Sequence, residues 1–178
     1  EDTYTAQGTS GHPDGFLLKI DSEGQVLWSI AGGKGSTELF HDIRLDADDN
    51  IFVVGEQDHT YDFGGTEVVG SGTTVAKVAS DGTVVWAKCL GDSGGGGRGI
   101  EFGPEGNLFV AGYGGGKMQV QHLDAETGDL IWQKRYAGGY CWDMQLAPDN
   151  TLVIAAYGGG NANFGKFSLT SGASNNPY

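Results

Sequence analysis

One phrase recurs three times along this chain, and each copy ends in a tryptophan. Each copy is an apolar run, a turn that contains glycine, and a second apolar run that closes with Trp28, Trp86 or Trp132. Self-similarity at a period of roughly 40–50 residues is typical of stacked units such as propeller blades. The chain is therefore expected to form a series of similar units, in which most residues serve the architecture.

A further pair of apolar runs with a turn between them follows each tryptophan. The turns cover residues 46–50, 103–107 and 147–151, and they hold the Asp, Asn, Gly and Pro residues that favour tight turns. The flanking runs are almost continuously apolar, which indicates strands covered on both faces by neighbouring sheets. Each period thus predicts four strands, and the chain predicts an all-β propeller-type fold of roughly fourteen strands in about three and a half four-stranded antiparallel blades.

The repeat also predicts where the units begin and end. We place the innermost strand of a blade at Asp42, Gly99 or Asp143 and the outermost strand at the tryptophan. Single strands are expected at residues 4–8 and 164–169. The predicted units are a partial blade at 1–33, blades at 37–91 and 97–136, and a partial blade at 140–178. We expect a segment of a longer protein; the alternative is that copies of the chain close the ring together.

Charge and composition exclude several classes of partner. The chain of 178 residues carries 23 acidic and 10 basic side chains, a formal net charge of −13, which repels nucleic acid and anionic lipid. No run of apolar residues is long enough to span a bilayer, so membrane insertion is not expected. Two cysteines, Cys89 and Cys141, are too few for a disulfide scaffold or a zinc site. They are expected as two free thiols, with one bridge between units as the alternative.

Two stretches carry a resemblance to known families. Residues 62–66, followed by 75–78 and 85–88, resemble the SBBP-type β-propeller repeats of large secreted microbial proteins. Residues 123–132 are similar to the tryptophan-docking motif of PQQ-like quinoprotein propellers. The resemblance implies a secreted, extracellular or cell-surface protein. It also implies that the three tryptophans pack between adjacent blades, and it is specific for fold rather than for activity, because both families include many non-enzymes.

The predicted starts of the inner strands supply the first candidate site. They should lie near the central channel of the propeller, and the best small-molecule hypothesis is a ligand site there that combines cationic, aromatic and acidic side chains. The starts of inner strands are also ordinary structure, and this interpretation is favoured. The residues concerned are His41, Asp42, Arg98, Trp142 and Asp143.

Two tyrosines supply a second candidate. Tyr113 and Tyr157 each precede three consecutive glycines in nearly identical stretches, so they occupy equivalent positions in adjacent units. They could form an aromatic platform on one rim. Packing beneath the glycine-rich loops is favoured over this platform.

One turn is a weak candidate for calcium. It offers four oxygen-bearing side chains, as a hard cation requires: Asp46, Asp48, Asp49 and Asn50. It has neither the glycine nor the terminal glutamate of a calcium loop, and the equivalent turns have fewer acids. A solvated turn is therefore favoured, and no cofactor is expected apart from this calcium.

The sequence favours a binding role over catalysis. No nucleophile lies in a recognisable elbow. The function expected is a non-catalytic interaction or structural module of a larger extracellular assembly, whose partners are protein, glycan or further propeller blades. The alternatives are a portion of a PQQ-dependent dehydrogenase-like enzyme and a carbohydrate-binding propeller, for which Asp42 and Asp143 would be the carboxylates.

Overall fold

The computed structural model describes residues 13–33, 37–91, 94–158 and 161–170. These residues form an all-β structure, interrupted only by a short 3-10 turn at Pro104–Gly106. Within these ranges we find no helix with the length and apolar character that crossing a bilayer requires. The strands are β1 Phe16–Ile20, β2 Val26–Ala31, β3 Glu38–Leu45, β4 Ile51–Gln57, β5 Tyr61–Phe63, β6 Thr66–Val68, β7 Gly72–Val78, β8 Val84–Cys89, β9 Gly96–Phe102, β10 Leu108–Gly114, β11 Lys117–Leu123, β12 Leu130–Ala137, β13 Tyr140–Leu146, β14 Leu152–Tyr157, β15 Ala162–Phe164 and β16 Phe167–Leu169.

The strands are arranged as successive antiparallel sheets. Strands β3, β4, β7 and β8 form one four-stranded sheet, and β9 to β12 form the next, which β15 and β16 extend. Strands β1 and β2, and likewise β13 and β14, form two-stranded sheets. Strand β9 packs against both β3 and β13, so the first strands of three sheets lie side by side. This is the arrangement of β-propeller blades around a centre.

Three apolar clusters join the sheets in sequence. The first brings Leu17 and Ile30 against Val53, and the second brings Val54 against Ile100. The third cluster joins β10 and β11 to β13 through residues such as Val120 and Met144. Successive side chains of a strand point to opposite faces, so Val53 packs toward one neighbouring sheet and Val54 toward the other. Burial on both faces explains the nearly continuous apolar runs.

The structure corrects the predicted strand count. Sixteen strands are described where about fourteen were expected, and the hairpin of β5 and β6 was not predicted. Residues 164–169, predicted as one strand, belong to two strands separated by a turn at Gly165, where φ is +76°. Each hairpin contacts the preceding unit: Asn163 pairs with Ala137, and Phe63 forms a bridge with Gly32. The predicted strand at residues 4–8 lies outside the described residues.

The two cysteines occupy different interfaces. Cys89 packs against the first apolar cluster and Cys141 belongs to the third, and both are free thiols. Burial raises the pKa of the Cys141 thiol to about 11, so this thiol stays protonated at neutral pH.

Candidate functional site

Three β-bulges place the central residues of the candidate site. In the first sheet Phe40 pairs with Gly55 and Asp42 with Val54, so His41 has no partner in the ladder. The pairing between β9 and β10 skips Arg98 in the same way, and the pairing between β13 and β14 skips Trp142. A bulge turns the extra side chain out of the regular strand pattern. The three residues predicted together thus share one local geometry.

Polar contacts tie the first two bulges together through Glu56. The Nη2 atom of Arg98 donates to Oε2 of Glu56 at 3.3 Å. The hydroxyl of Tyr113 donates to the same oxygen at 2.8 Å, and Nε2 of His41 lies 3.5 Å from Oε1. The Nη1 atom of Arg98 also lies 3.0 Å from Nδ1 of His41. Glu56 therefore connects side chains from two adjacent sheets.

Aromatic rings continue the site toward the third bulge. Tyr113, Tyr140 and Tyr157 follow one another with ring centroids 5.1 and 5.2 Å apart. Trp142 lies 5.5 Å from Tyr157, and the guanidinium carbon of Arg98 stands 6.0 Å from the Trp142 ring centroid. Trp142 and Tyr157 are 59% and 52% exposed, so their rings are available for contact. Together with Arg98 and Cys141, these aromatic residues line a cavity of about 240 Å³.

The electrostatics of the cluster favour a fixed ion pair. The hydrogen bond with His41 holds the pKa of Glu56 below its usual value, with help from Tyr113 and Arg98 and against the effect of burial. Burial and the neighbouring Glu56 raise the pKa of the Tyr113 hydroxyl. At neutral pH the cluster therefore presents a carboxylate, a guanidinium and a neutral phenol. The site can offer hydrogen bonds beside open aromatic faces, while its two formal charges neutralise each other.

Asp42 and Asp143, the two acids predicted for the channel, lie outside the aromatic cavity. The carboxylate of Asp42 accepts from the backbone amide of Ile100 at 3.0 Å and pairs with Arg44 at 2.7 Å. It thus holds two inner strands together. Asp143 is exposed and accepts from the amide of Met144 at 2.8 Å. Neither acid lines the aromatic cavity.

Sequence reasoning assigned neither Glu56, Tyr140 nor Cys141 to the site. Glu56 occupies the same repeat position as Tyr113, since each residue directly follows a glycine, Gly55 or Gly112. Each of the two side chains lies beside the bulge of its own sheet. Repeat position was therefore a usable signal for Glu56. Tyr140 has no such signal, because the equivalent positions in the other repeats hold unrelated residues.

Two of the three tryptophans make the same contact with the next unit. The indole Nε1 of Trp28 donates to the carbonyl oxygen of Ser80 at 3.1 Å, and that of Trp86 donates to Ala125 at 3.3 Å. Trp132 is 36% exposed and lies beside Phe109 and His122 of its own sheet.

The acidic turn uses its oxygens internally. The carboxylate of Asp46 accepts from the amides of Asp48 and Asn50 and from the side chain of Asn50, which closes the turn. Asp49 sits at φ +60°, the turn position that Asn150 takes in a sister turn at φ +64°. These residues fit a hydrogen-bonded turn better than a calcium loop, which needs six to eight free oxygen ligands.

A bound quinone cofactor would need an aromatic face to stack on and acidic side chains that hold a cation beside it. Trp142 and Tyr157 offer an aromatic face of the kind that a quinone would stack on. Within the described ranges, however, no three His, Cys, Asp or Glu side chains are grouped so as to hold a cation. The described residues therefore do not fit a quinone bound together with a metal ion.

The repeated sheets, the docked tryptophans and the site at the bulges together define a β-propeller repeat protein. The profile of the PQQ-like family described as outer membrane protein assembly factor BamB matches residues 71–173. The match covers more than half of the chain, so the chain belongs to this family. No curated protein matches the sequence.

Proposed function

We propose that this chain is a non-catalytic, secreted propeller module that serves as an interaction or structural part of a larger extracellular or cell-surface assembly. The observation that carries the proposal is the convergence of three units on one surface, where Trp142 and Tyr157 are exposed beside a neutralised ion pair. Aromatic residues with a polar tip are favoured at interfaces because they combine apolar contact area with hydrogen bonding. The family description, which names an assembly factor, supports the same role. The likeness to SBBP-type repeats supports secretion.

Photo-crosslinking tests the interaction role. A photoreactive phenylalanine analogue at Tyr157, in cells that make the protein, should yield a discrete adduct with one partner. The same analogue at Phe167, which is exposed at 75% but lies outside the cavity, is the matched control. Absence of an adduct at Tyr157, or equal adducts at both positions, would count against this surface.

Carbohydrate binding at the cavity is a second candidate, favoured by the placement of polar groups beside the rings. Arg98, Glu56 and the Tyr113 hydroxyl form a hydrogen-bonded set next to the Trp142 face. A sugar ring presents hydroxyls at its edge and C–H groups on its faces, which suits such a surface. The volume of about 240 Å³ is below the range of drug-sized pockets, about 300–1,000 Å³, and suits one small ring.

A glycan array tests this candidate. Trp142→Ala should abolish any signal of the unaltered chain, whereas Phe167→Ala should leave it intact. Asp42→Asn and Asp143→Asn should change little, because neither side chain lines the cavity. An array without signal, or a signal that survives Trp142→Ala, would remove carbohydrate from consideration.

A further inference from the structure

His41 and Arg98 meet in a way that only one protonation state of the imidazole allows. The Nη1 atom of Arg98 lies 3.0 Å from Nδ1 of His41 and 2.5 Å from Nε2. A guanidinium carries donors only, so a hydrogen bond between the two side chains needs a lone pair on the imidazole. A neutral imidazole has one nitrogen with such a lone pair, whereas a protonated imidazole has none. The hydrogen bond therefore requires a neutral His41.

Glu56 lies within reach of both side chains. Its Oε2 atom accepts from Nη2 of Arg98 at 3.3 Å, and its Oε1 atom lies 3.5 Å from Nε2 of His41. Protonation of His41 would place two cations beside this one carboxylate. It would also strengthen the attraction between His41 and Glu56, because hydrogen bonds between charged groups are stronger than those of neutral groups. Arg98 would then lose its bond to His41 and compete with His41 for Glu56.

The aromatic rings offer Arg98 another position. The guanidinium carbon of Arg98 already stands 5.4 Å from the centroid of the Tyr113 ring and 6.0 Å from that of the Trp142 ring. A ring face attracts a cation within about 6 Å. Arg98 thus has polar partners on one side and the aromatic cavity on the other, so a small movement would exchange one set of contacts for the other.

We propose that His41 is a pH-sensitive switch of the aromatic cavity: the neutral imidazole holds Arg98 beside Glu56, and the protonated imidazole releases Arg98 toward Trp142. Imidazole side chains ordinarily take up their proton between about pH 8 and about pH 5. In acid these three polar groups carry one positive charge in excess, whereas at neutral pH their charges balance. The inference rests on the proposed function, because it names the regulation of the same contact surface.

The other charged groups of the strands around His41 have partners of their own. Strand β3, which carries His41, packs against β4 and β9. Asp42 of β3 and Glu101 of β9 both pair with Arg44, at 2.7 and 3.2 Å. These contacts balance the Arg44 guanidinium and do not involve the imidazole.

Two further titratable groups of the cluster keep their protonation state in this range of pH. The pKa of Glu56 is lowered, chiefly by its hydrogen bond with His41, so its carboxylate stays ionised as the pH falls toward 5. Burial raises the pKa of the Tyr113 hydroxyl, which donates to Glu56 at 2.8 Å, so this phenol stays neutral. His41 is therefore the member of this cluster that is expected to change its charge.

NMR spectroscopy on the isolated chain tests the switch. The probe is the indole N–H signal of Trp142, assigned by comparison with Trp142→Phe. As the pH is lowered from about 8 to about 5, this signal should shift in step with the ring signals of His41. His41→Gln should abolish the shift of the Trp142 signal, because the amide oxygen can still accept from Arg98 but does not titrate.

Arg98→Gln separates the two ends of the switch. In this variant the ring signals of His41 should still move with pH. The Trp142 signal should no longer follow them, because Arg98 is the group that carries the change from the imidazole to the indole.

The matched control is Glu38→Gln. Glu38 is a buried residue of the same strand as His41, and its carboxyl, beside Asp14 and Asp58, has a pKa of about 7. It therefore titrates in the same range without being part of the proposed switch. The Trp142 signal of this variant should respond to pH as it does in the unaltered chain.

A Trp142 signal that stays constant from about pH 8 to about pH 5 would overturn the proposal. So would a shift that survives in His41→Gln or in Arg98→Gln, or one that is lost in Glu38→Gln. The experiment needs no partner, so it can fail separately from the proposed function. A constant Trp142 signal together with a Tyr157 adduct would remove the switch alone, and a shifting signal without an adduct would remove the interaction role alone.

Discussion

Gly55 and Leu39 lie so close together that a Cβ on Gly55 would overlap the carbonyl oxygen of Leu39. The same approach recurs in the next sheet between Gly112 and Gly96. Each glycine faces the residues that flank a bulge, at His41 or at Arg98. The missing side chain is therefore part of what lets the inner strand bulge toward the site.

Gly55→Ala should destabilise the protein by about 3 kcal/mol, because backbone rather than a flexible side chain obstructs the new methyl group. Urea unfolding followed by circular dichroism measures the change. The control is Gly139→Ala, where the nearest atoms are 3.6 and 3.7 Å from the new Cβ. Equal losses in the two variants would contradict the explanation.

Trp86→Ala should cost about 3–5 kcal/mol of unfolding free energy. Trp86 is only 9% exposed, and the variant loses both this burial and the hydrogen bond to Ala125. Thermal melts measure the loss of stability. The matched control is Trp142→Ala, which removes an exposed tryptophan. Similar melting temperatures for the two variants would show that the docking contact contributes little.

Glu38 should make stability depend on pH. Burial, together with the charges of Asp14 and Asp58, raises the pKa of its carboxyl to about 7. Because the folded state binds this proton more tightly than the unfolded state, the stabilisation is complete below about pH 4.5 and is lost as pH rises through about 7.

Glu38→Gln should remove that dependence and raise stability at pH 8 by about 2 kcal/mol. Chemical unfolding at several pH values measures both the pH dependence and the gain in stability. The control is Glu23→Gln, because Glu23 is exposed. A variant whose stability still falls between pH 5 and 8 as in the unaltered chain would assign the effect to another group.

The ion pair of Glu56 and Arg98 should give a measurable coupling between the effects of the two substitutions on the free energy of unfolding. A double-mutant cycle with Glu56→Gln and Arg98→Gln is expected to give about 1–2 kcal/mol, because the two groups are only partly exposed and share hydrogen bonds. The coupling should persist at neutral pH and disappear in acid, since the pKa of Glu56 is lowered and its stabilising charge is lost only when pH falls through that value. If the losses of stability in the two single variants simply add up in the double variant, the contact between Glu56 and Arg98 contributes little.

The fold was predictable because each sequence repeat corresponds to one sheet. Recurring tryptophans and two-sided apolar strands gave the order of the sheets without any knowledge of tertiary contacts. The hairpins were missed because strands of three residues, such as β5 and β15, are too short for a periodic signal to distinguish from loop.

The site was predictable only in part. The bulge residues His41, Arg98 and Trp142 could be aligned, and so could Tyr113 and Tyr157, but they were assigned to two different places. Packing between sheets brings Arg98 and Trp142 together with both tyrosines at one cavity, while His41 contacts Arg98 beside it. Tyr140 gave no repeat signal, so only the assembled structure shows it.

The bulges have a consequence for how such a surface can change. His41, Arg98 and Trp142 stand outside the hydrogen-bond ladder, and none of them belongs to an apolar cluster. We therefore expect that replacing any one of them preserves the strand pairing and the clusters. The same bulge in three successive sheets already presents an imidazole, a guanidinium and an indole. A propeller built in this way can acquire a new specificity one blade at a time, while the scaffold that carries it stays constant.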